Sequence, residues 1–232
     1  MGRRIVIGDI HGCYNTLKNL IESQIIITSD DQVFFVGDLI DRGPRSREVL
    51  DYLMQLKLQQ YHINCVRGNH EEMLLKTLDA DSSLQDWFMN GAEETLKSFA
   101  IQNVLLNRRE NLKLIPEPYI TFMQTFPYYY DLEDHIIVHA GLNFNSKDIL
   151  EDTHSMIWSR TMEYEAGIIK NKTIIHGHTP ITIDRIMKIV PYQSNKTLNI
   201  DSGCVYKNYP GLGVLTAIDL DNRHLYLQNN ID

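Results

Sequence analysis

The sequence predicts an α/β protein in which a mixed β sandwich is flanked by helices. Three observations lead there. The first third alternates short β-type apolar runs with amphipathic helical runs, and short β-type runs dominate the last third. Each early apolar run also leads at once into a polar, glycine-containing loop, as at the carboxyl ends of strands in parallel sheets.

In chain order, Arg3–Ile7 reads as a strand, and Tyr14–Ser23 as a helix with Leu17, Leu20 and Ile21 on one face. Gln32–Val36 is the second strand and Ser46–Lys57 the second helix, with Ser46 as its N-cap. Ile63–Val66 and the helix beginning at Glu71–Leu78 complete the βαβ series. The middle, Asp81–Thr125, is mainly helical, and its segment 81–111 reads equally as a cap over a site or as packing. Tyr128–Leu132 and Ile136–Val138 then form strands across a Glu133-Asp134 turn. Thr173–His176, Ile186–Val190, Thr197–Ile200, Val214–Asp219 and Leu225–Gln228 read as further strands.

Composition bounds the rest. The 232 residues are 43% hydrophobic and 22% charged, with no repeat and no Gly/Ser/Pro-rich linker, which fits one domain over residues 1–232 with an ample core. A net charge of −8 disfavours general binding of nucleic-acid duplexes or anionic membranes. No run approaches the ~18 apolar residues of a membrane span. The first apolar run meets Gly8-Asp9 too early for a secretory leader, and the three cysteines include no C-x-x-C pair, so reduced thiols in a cytoplasm are expected.

The chemistry gathers after the strands. The loops are Gly8-Asp9-Ile10-His11-Gly12, Gly37-Asp38-Leu39-Ile40-Asp41-Arg42-Gly43, Arg67-Gly68-Asn69-His70-Glu71, His139-Ala140-Gly141 and Gly177-His178-Thr179-Pro180. One Gly-Asp after a strand is ordinarily a turn. Five such loops, each offering Asp, His or Asn beside glycine, point to one convergent site. Mixed carboxylate, imidazole and amide oxygen donors suit divalent ions such as Mn²⁺, Fe²⁺ or Zn²⁺, and no cysteine cluster offers a thiolate site.

GDIHG, GDLIDRG, RGNHE, HAG and GHTP, in this order, resemble the phosphoprotein phosphatase family of two-metal, calcineurin-like metallophosphoesterases. The closing Asn199-Ile200-Asp201-Ser202-Gly203-Cys204 is similar to the bacterial branch, and the SAPNYC segment of the eukaryotic branch is absent. The resemblance implies a calcineurin-like fold and two divalent ions, manganese first, with iron or zinc as the alternatives. It implies that Asp9 and His11 hold one ion, Asp38 bridges both, and Asn69, His139 and His178 complete the second, with the role of His176 left open. His70 would be the general acid, oriented by Asp41, and Arg42, Arg67 and Arg160 would bind phosphate. The implied reaction is attack on phosphorus by a metal-bridging hydroxide, without a phosphoenzyme. The expected enzyme is a protein serine/threonine phosphatase, with phosphotyrosine left open. The alternative is a dinucleoside tetraphosphate hydrolase or RNA-cap pyrophosphohydrolase acting on a nucleotide substrate. Symmetrical tetraphosphatases typically carry Ala at the position of Asp41, which tilts the reading toward monoesters. A non-catalytic binding module is disfavoured, because every motif ligand and the acid are present.

Overall fold

A computed structural model describes residues 2–78, 84–101, 114–160 and 163–232. Parts of the segment 81–111 thus lie outside the described residues. Among the described residues, nine strands form two sheets. The first has the order β3-β2-β1-β8-β9, built from β1 (Arg4–Ile7), β2 (Gln32–Phe35), β3 (His62–Cys65), β8 (Val214–Asp219) and β9 (Leu225–Asn229). The second has the order β4-β5-β6-β7, from β4 (Tyr129–Asp131), β5 (His135–Val138), β6 (Thr173–His176) and β7 (Thr197–Asn199). Strands β1 to β3 are parallel, as are β5 to β7, whereas β8, β9 and β4 pair antiparallel.

Side-chain alternation sorts the strands into layers. Val6, Phe34 and Ile218 from the first sheet and Ile137, Ile175 and Leu198 from the second fill one buried cluster between the sheets. On the outer face of the first sheet, Ile5, Ile7, Val33 and Phe35 pack against α1 (Tyr14–Asn19), α2 (Ser46–Leu58) and α3 (Asn69–Leu78). The same core takes in Trp87 of α4 (Leu84–Met89), Leu96 of α5 (Ala92–Ser98) and Met123 of α6 (Glu117–Gln124). On the far face of the second sheet, Ile136, Val138 and Ile174 pack against Met156 and Ile157 of α7 (Thr153–Trp158). The expected sandwich flanked by helices is therefore present. Among the described residues, no helix is long and apolar enough to cross a membrane.

Three local expectations are corrected. Ile186–Val190 is not a strand: Ile186–Ile189 belong to helix α8 (Ile183–Ile189) and Val190 is its C-cap. The β-branched residues suggest extension, yet Ile183, Ile186 and Val190 recur at helical spacing, and the fully buried Ile186 and Val190 join the same apolar cluster as Val6 and Ile175. Tyr14–Ser23 is not one regular helix: α1 gives way to a π-helical turn, Leu20–Ile25, that ends on Ile26 at φ 52°. Ser46 is the first residue of α2 rather than its cap, and its Oγ instead accepts the Asp41 N–H at 3.1 Å.

One buried carboxylate fastens the start of β1 to the turn before β2. Asp31 accepts from Arg3 N (2.8 Å), Arg3 Nε (3.1 Å), Arg3 Nη2 (2.7 Å) and Thr28 N (2.8 Å). Burial works to raise its pKa, but the Arg3 and Thr28 donors outweigh it and hold the carboxyl well below its ordinary range. A depressed folded-state pKa contributes stability above the unfolded value, lost as pH falls through and below about 4. We expect Asp31→Asn to cost about 1–3 kcal/mol at pH 7. Urea denaturation at pH 7 and pH 3 checks this: the gap between variant and wild type should narrow at the lower pH.

Candidate active site

The carboxyl ends of β1, β2 and β3 meet those of β5 and β6 at one end of the sandwich, and the five loops converge there. Their backbones are unusual. His11, Asp38, Asp41, Arg42 and His178 all have positive φ, between 47° and 73°. Each such non-glycine residue costs roughly 1–3 kcal/mol, which the surrounding contacts must offset. Two glycines have a direct steric reason: a Cβ at Gly68 would collide with Asp38 Oδ1, and one at Gly177 with Asp9 Oδ1.

Asp38 is at the centre. One group of candidate ligand atoms comes from His11, Asp38 and His70, a second from Asp38, His139 and His178, and within each group the atoms lie within 4.8 Å of one another. Asp38 Oδ2 is 3.5 Å from His11 Nε2 and 3.9 Å from His70 Nε2, and Oδ1 is 3.5 Å from His139 Nε2. Asn69 Oδ1 is 2.9 Å from His139 Nε2 and 3.0 Å from His178 Nδ1. Asp9 Oδ2 accepts the His178 N–H at 3.0 Å, while its buried Oδ1 has no hydrogen-bond partner. His176 is in neither group, and its ring nitrogen is 3.3 Å from Gly177 O.

Hydrogen bonding fixes the imidazoles. His11 Nδ1 donates to Ile40 O (2.9 Å) and His139 Nδ1 to Val36 O (2.8 Å), which turns both Nε2 lone pairs inward. Burial lowers the pKa of His11 and His139, and burial together with His139 pushes His178 down to about 3. Burial, with Asp201 and Asp38 adding to it, raises Asp9 well above its ordinary value, and burial raises Asp201 to about 7. Neutral imidazoles, an amide oxygen and crowded carboxylates thus aim lone pairs at a common space. That is what a divalent cation site requires, and the unpartnered Asp9 Oδ1 fits it.

His70 is fully buried, and its Nδ1 donates to Asp41 Oδ2 at 2.7 Å. Burial opposes its charged form, but Asp38 and the Asp41 hydrogen bond prevail and raise its pKa. Its Nε2 faces the cluster without a hydrogen-bond partner. Trp87 Nε1 also donates to Asp41 Oδ2 (2.7 Å), and Thr95 Oγ1 to Asp41 Oδ1 (2.6 Å).

The three arginines differ. Arg42 reaches into the cluster, with Nη1 2.7 Å from His11 Nε2. Arg67 bonds Glu72 (3.1 Å), Tyr128 Oη (3.4 Å) and Gln124 O (3.0 Å). Arg160 is exposed, though near enough to contribute to lowering the His178 pKa.

Sequence reasoning missed several supporting residues. Glu71 is fully buried and accepts from the backbone N–H groups of Asp38 (3.0 Å), Leu39 (2.8 Å) and Gly68 (3.0 Å), tying the second loop to the third. Its place in RGNHE was visible, but not this clasp. Trp87 and Thr95 carried no motif signal.

Known proteins similar to this chain fall among phosphoester and phosphoanhydride hydrolases. The chain is 27% identical over 230 residues to the asymmetrical bis(5'-nucleosyl)-tetraphosphatase PrpE of Oceanobacillus iheyensis, covering 88% of this chain and 84% of that protein. It is 29% identical over 211 residues to serine/threonine-protein phosphatase 1 of Salmonella typhimurium, covering 87% and 86%. A solved protein serine/threonine phosphatase from Saccharomyces cerevisiae shares the fold, with a TM-score of 0.65 at 17% identity over 100% of this chain and 80% of that one. The calcineurin-like phosphoesterase family matches residues 2–210, and the chain belongs to that family of metallophosphoesterases.

Proposed function

We propose that this metallophosphoesterase is a phosphomonoesterase acting on phosphoserine and phosphothreonine, with His70 as its general acid. The observation that carries this reading is the buried His70–Asp41 pair, whose Nδ1–H is spent on Asp41 while Nε2 faces the site. An alkoxide from serine or threonine is a poor leaving group and needs a proton as the P–O bond breaks. A nucleotide released from a phosphoanhydride is a far better one and has little use for an acid. An intact acid pair therefore favours the monoester.

In this reading Asp9, His11, Asp38, Asn69, His139 and His178 hold two divalent ions, with manganese as the first candidate. When bound, such ions supply Lewis-acid activation of water and neutralise phosphoryl charge. Arg42 binds the phosphoryl oxygens once its Nη1 gives up His11 Nε2, the nitrogen that an ion would take. Arg67 keeps unspent N–H donors beside its bonds to Glu72, Tyr128 and Gln124 and serves the same end less directly, and Arg160 stands on the exposed rim. Water, giving one proton up to solvent, adds to phosphorus, the bond to the leaving oxygen breaks with its electron pair on that oxygen, and His70 Nε2 delivers a proton to it.

The second reading, hydrolysis of a dinucleoside tetraphosphate, is favoured by the likeness to PrpE. Specificity constants measured with Mn²⁺ for a phosphoserine peptide, a phosphotyrosine peptide and diadenosine tetraphosphate separate the two. We expect the phosphoserine peptide to lead; dominance of the dinucleotide would replace the first reading with the second.

The acid role has its own test. His70→Asn should lower kcat for a phosphoserine peptide by about 100-fold or more, and for para-nitrophenyl phosphate by less than about tenfold. Equal losses on both substrates would remove His70 from proton donation.

A further inference from the structure

We propose that Thr95 and Trp87, carried by the α4–α5 helical pair, are positioning residues that fix the Asp41 carboxylate and, through it, the imidazole of His70. The inference rests on the reading of His70 as the proton donor. It assigns a task to a segment that the sequence left open between cap and packing.

The geometry is a closed set of donors and acceptors with no exposed member. Asp41, His70, Trp87, Thr95 and Ser46 are each fully buried. Asp41 Oδ2 takes two N–H donors, His70 Nδ1 and Trp87 Nε1, both at 2.7 Å. An indole N–H can only donate, so the direction of that bond is settled. Asp41 Oδ1 takes the Thr95 hydroxyl proton at 2.6 Å. With its proton so placed, Thr95 Oγ1 accepts from Asp41 N (2.8 Å) and from the Ser46 hydroxyl (3.0 Å), while Ser46 Oγ also accepts from Asp41 N (3.1 Å). Thr95 thus holds both the side chain and the backbone of one residue.

That residue needs holding. Asp41 and Arg42 have φ of 69° and 68°, a conformation ordinary side chains rarely take. The turn between α4 and α5 sits directly on them: Arg42 N donates to Gly91 O at 3.1 Å, and a Cβ on Gly91 would lie 2.8 Å from Arg42 Cγ and 3.0 Å from Arg42 N. With one oxygen held by Thr95 and the other shared with Trp87, Asp41 has one orientation in which it can receive His70 Nδ1. Removing a donor from this set frees the carboxylate to rotate and the imidazole with it.

A purely structural role and a positioning role give different kinetics. Three variants are compared with wild type and His70→Asn, each with Mn²⁺: Thr95→Val, which keeps the shape and removes the hydroxyl, Thr95→Ser, which restores it, and Trp87→Phe. Thermal denaturation establishes that each is folded at the assay temperature. The inference expects Thr95→Val to lower kcat for a phosphoserine peptide roughly 10- to 100-fold, with para-nitrophenyl phosphate changed by less than about threefold and KM nearly constant. Thr95→Ser should recover most of the loss. Trp87→Phe should show the same selectivity to a smaller degree, and it decides the matter should Thr95→Val fail to fold. Equal losses on both substrates, no loss in the folded variants, or failure of Thr95→Ser to rescue would overturn the positioning role. If His70→Asn itself loses both activities equally, the acid reading fails instead.

Discussion

A single buried carboxylate, Asp38, is shared by two groups of inward-facing candidate ligands, and the surrounding structure is arranged to make that sharing tolerable. Its two oxygens face His11 and His70 on one side and His139 on the other. The side chain sits on a backbone with φ 51°, pinned by Glu71, which accepts from the amides of Asp38, Leu39 and Gly68. Glu71 is itself pushed up to about 7 by burial and the charge of Asp38. So many buried carboxylates beside neutral imidazoles are stable together only with compensating positive charge. The net charge of −8 therefore says little about substrate. Asp9, Asp38 and Asp41 belong to the site, and in the proposed two-ion enzyme the bound cations and Arg42 set the local field.

The sandwich supplies the convergence. Parallel β1 to β3 deliver Asp9, His11, Asp38 and Asn69 from one sheet, and parallel β5 and β6 deliver His139 and His178 from the other. The inter-sheet core around Val6, Phe34, Ile137 and Ile175 sets how the two groups of loops face each other. The hydrogen bond from the His139 Nδ1–H to Val36 O joins them directly across that junction. Strain at five non-glycine residues is the counterpart of this precision, placed where the packing is tight enough to hold it.

How much of this was legible in the sequence follows from the range of each interaction. Strand-end loops were readable because glycine and its polar neighbours are adjacent in the chain, so Asp9, Asp38, Asn69, His70 and His139 were found with their elements. The Ile186–Val190 segment was misread because β-branched composition outweighed helical spacing in so short a run. Trp87 and Thr95 were invisible because their partner Asp41 lies 46 and 54 positions away. Arg67 stood in a recognisable motif, but its pairing with Glu72, Tyr128 and Gln124 depends on how α3 and α6 pack.

The central claim, that Asp38 joins two ion sites into one centre, is tested most directly by calorimetric titration with Mn²⁺ of the wild-type protein and Asp38→Asn. The account predicts two ions per wild-type chain, and weakening of both sites by more than about 100-fold in the variant. One ion or none in the wild type, or one site kept at full affinity in Asp38→Asn, would contradict it.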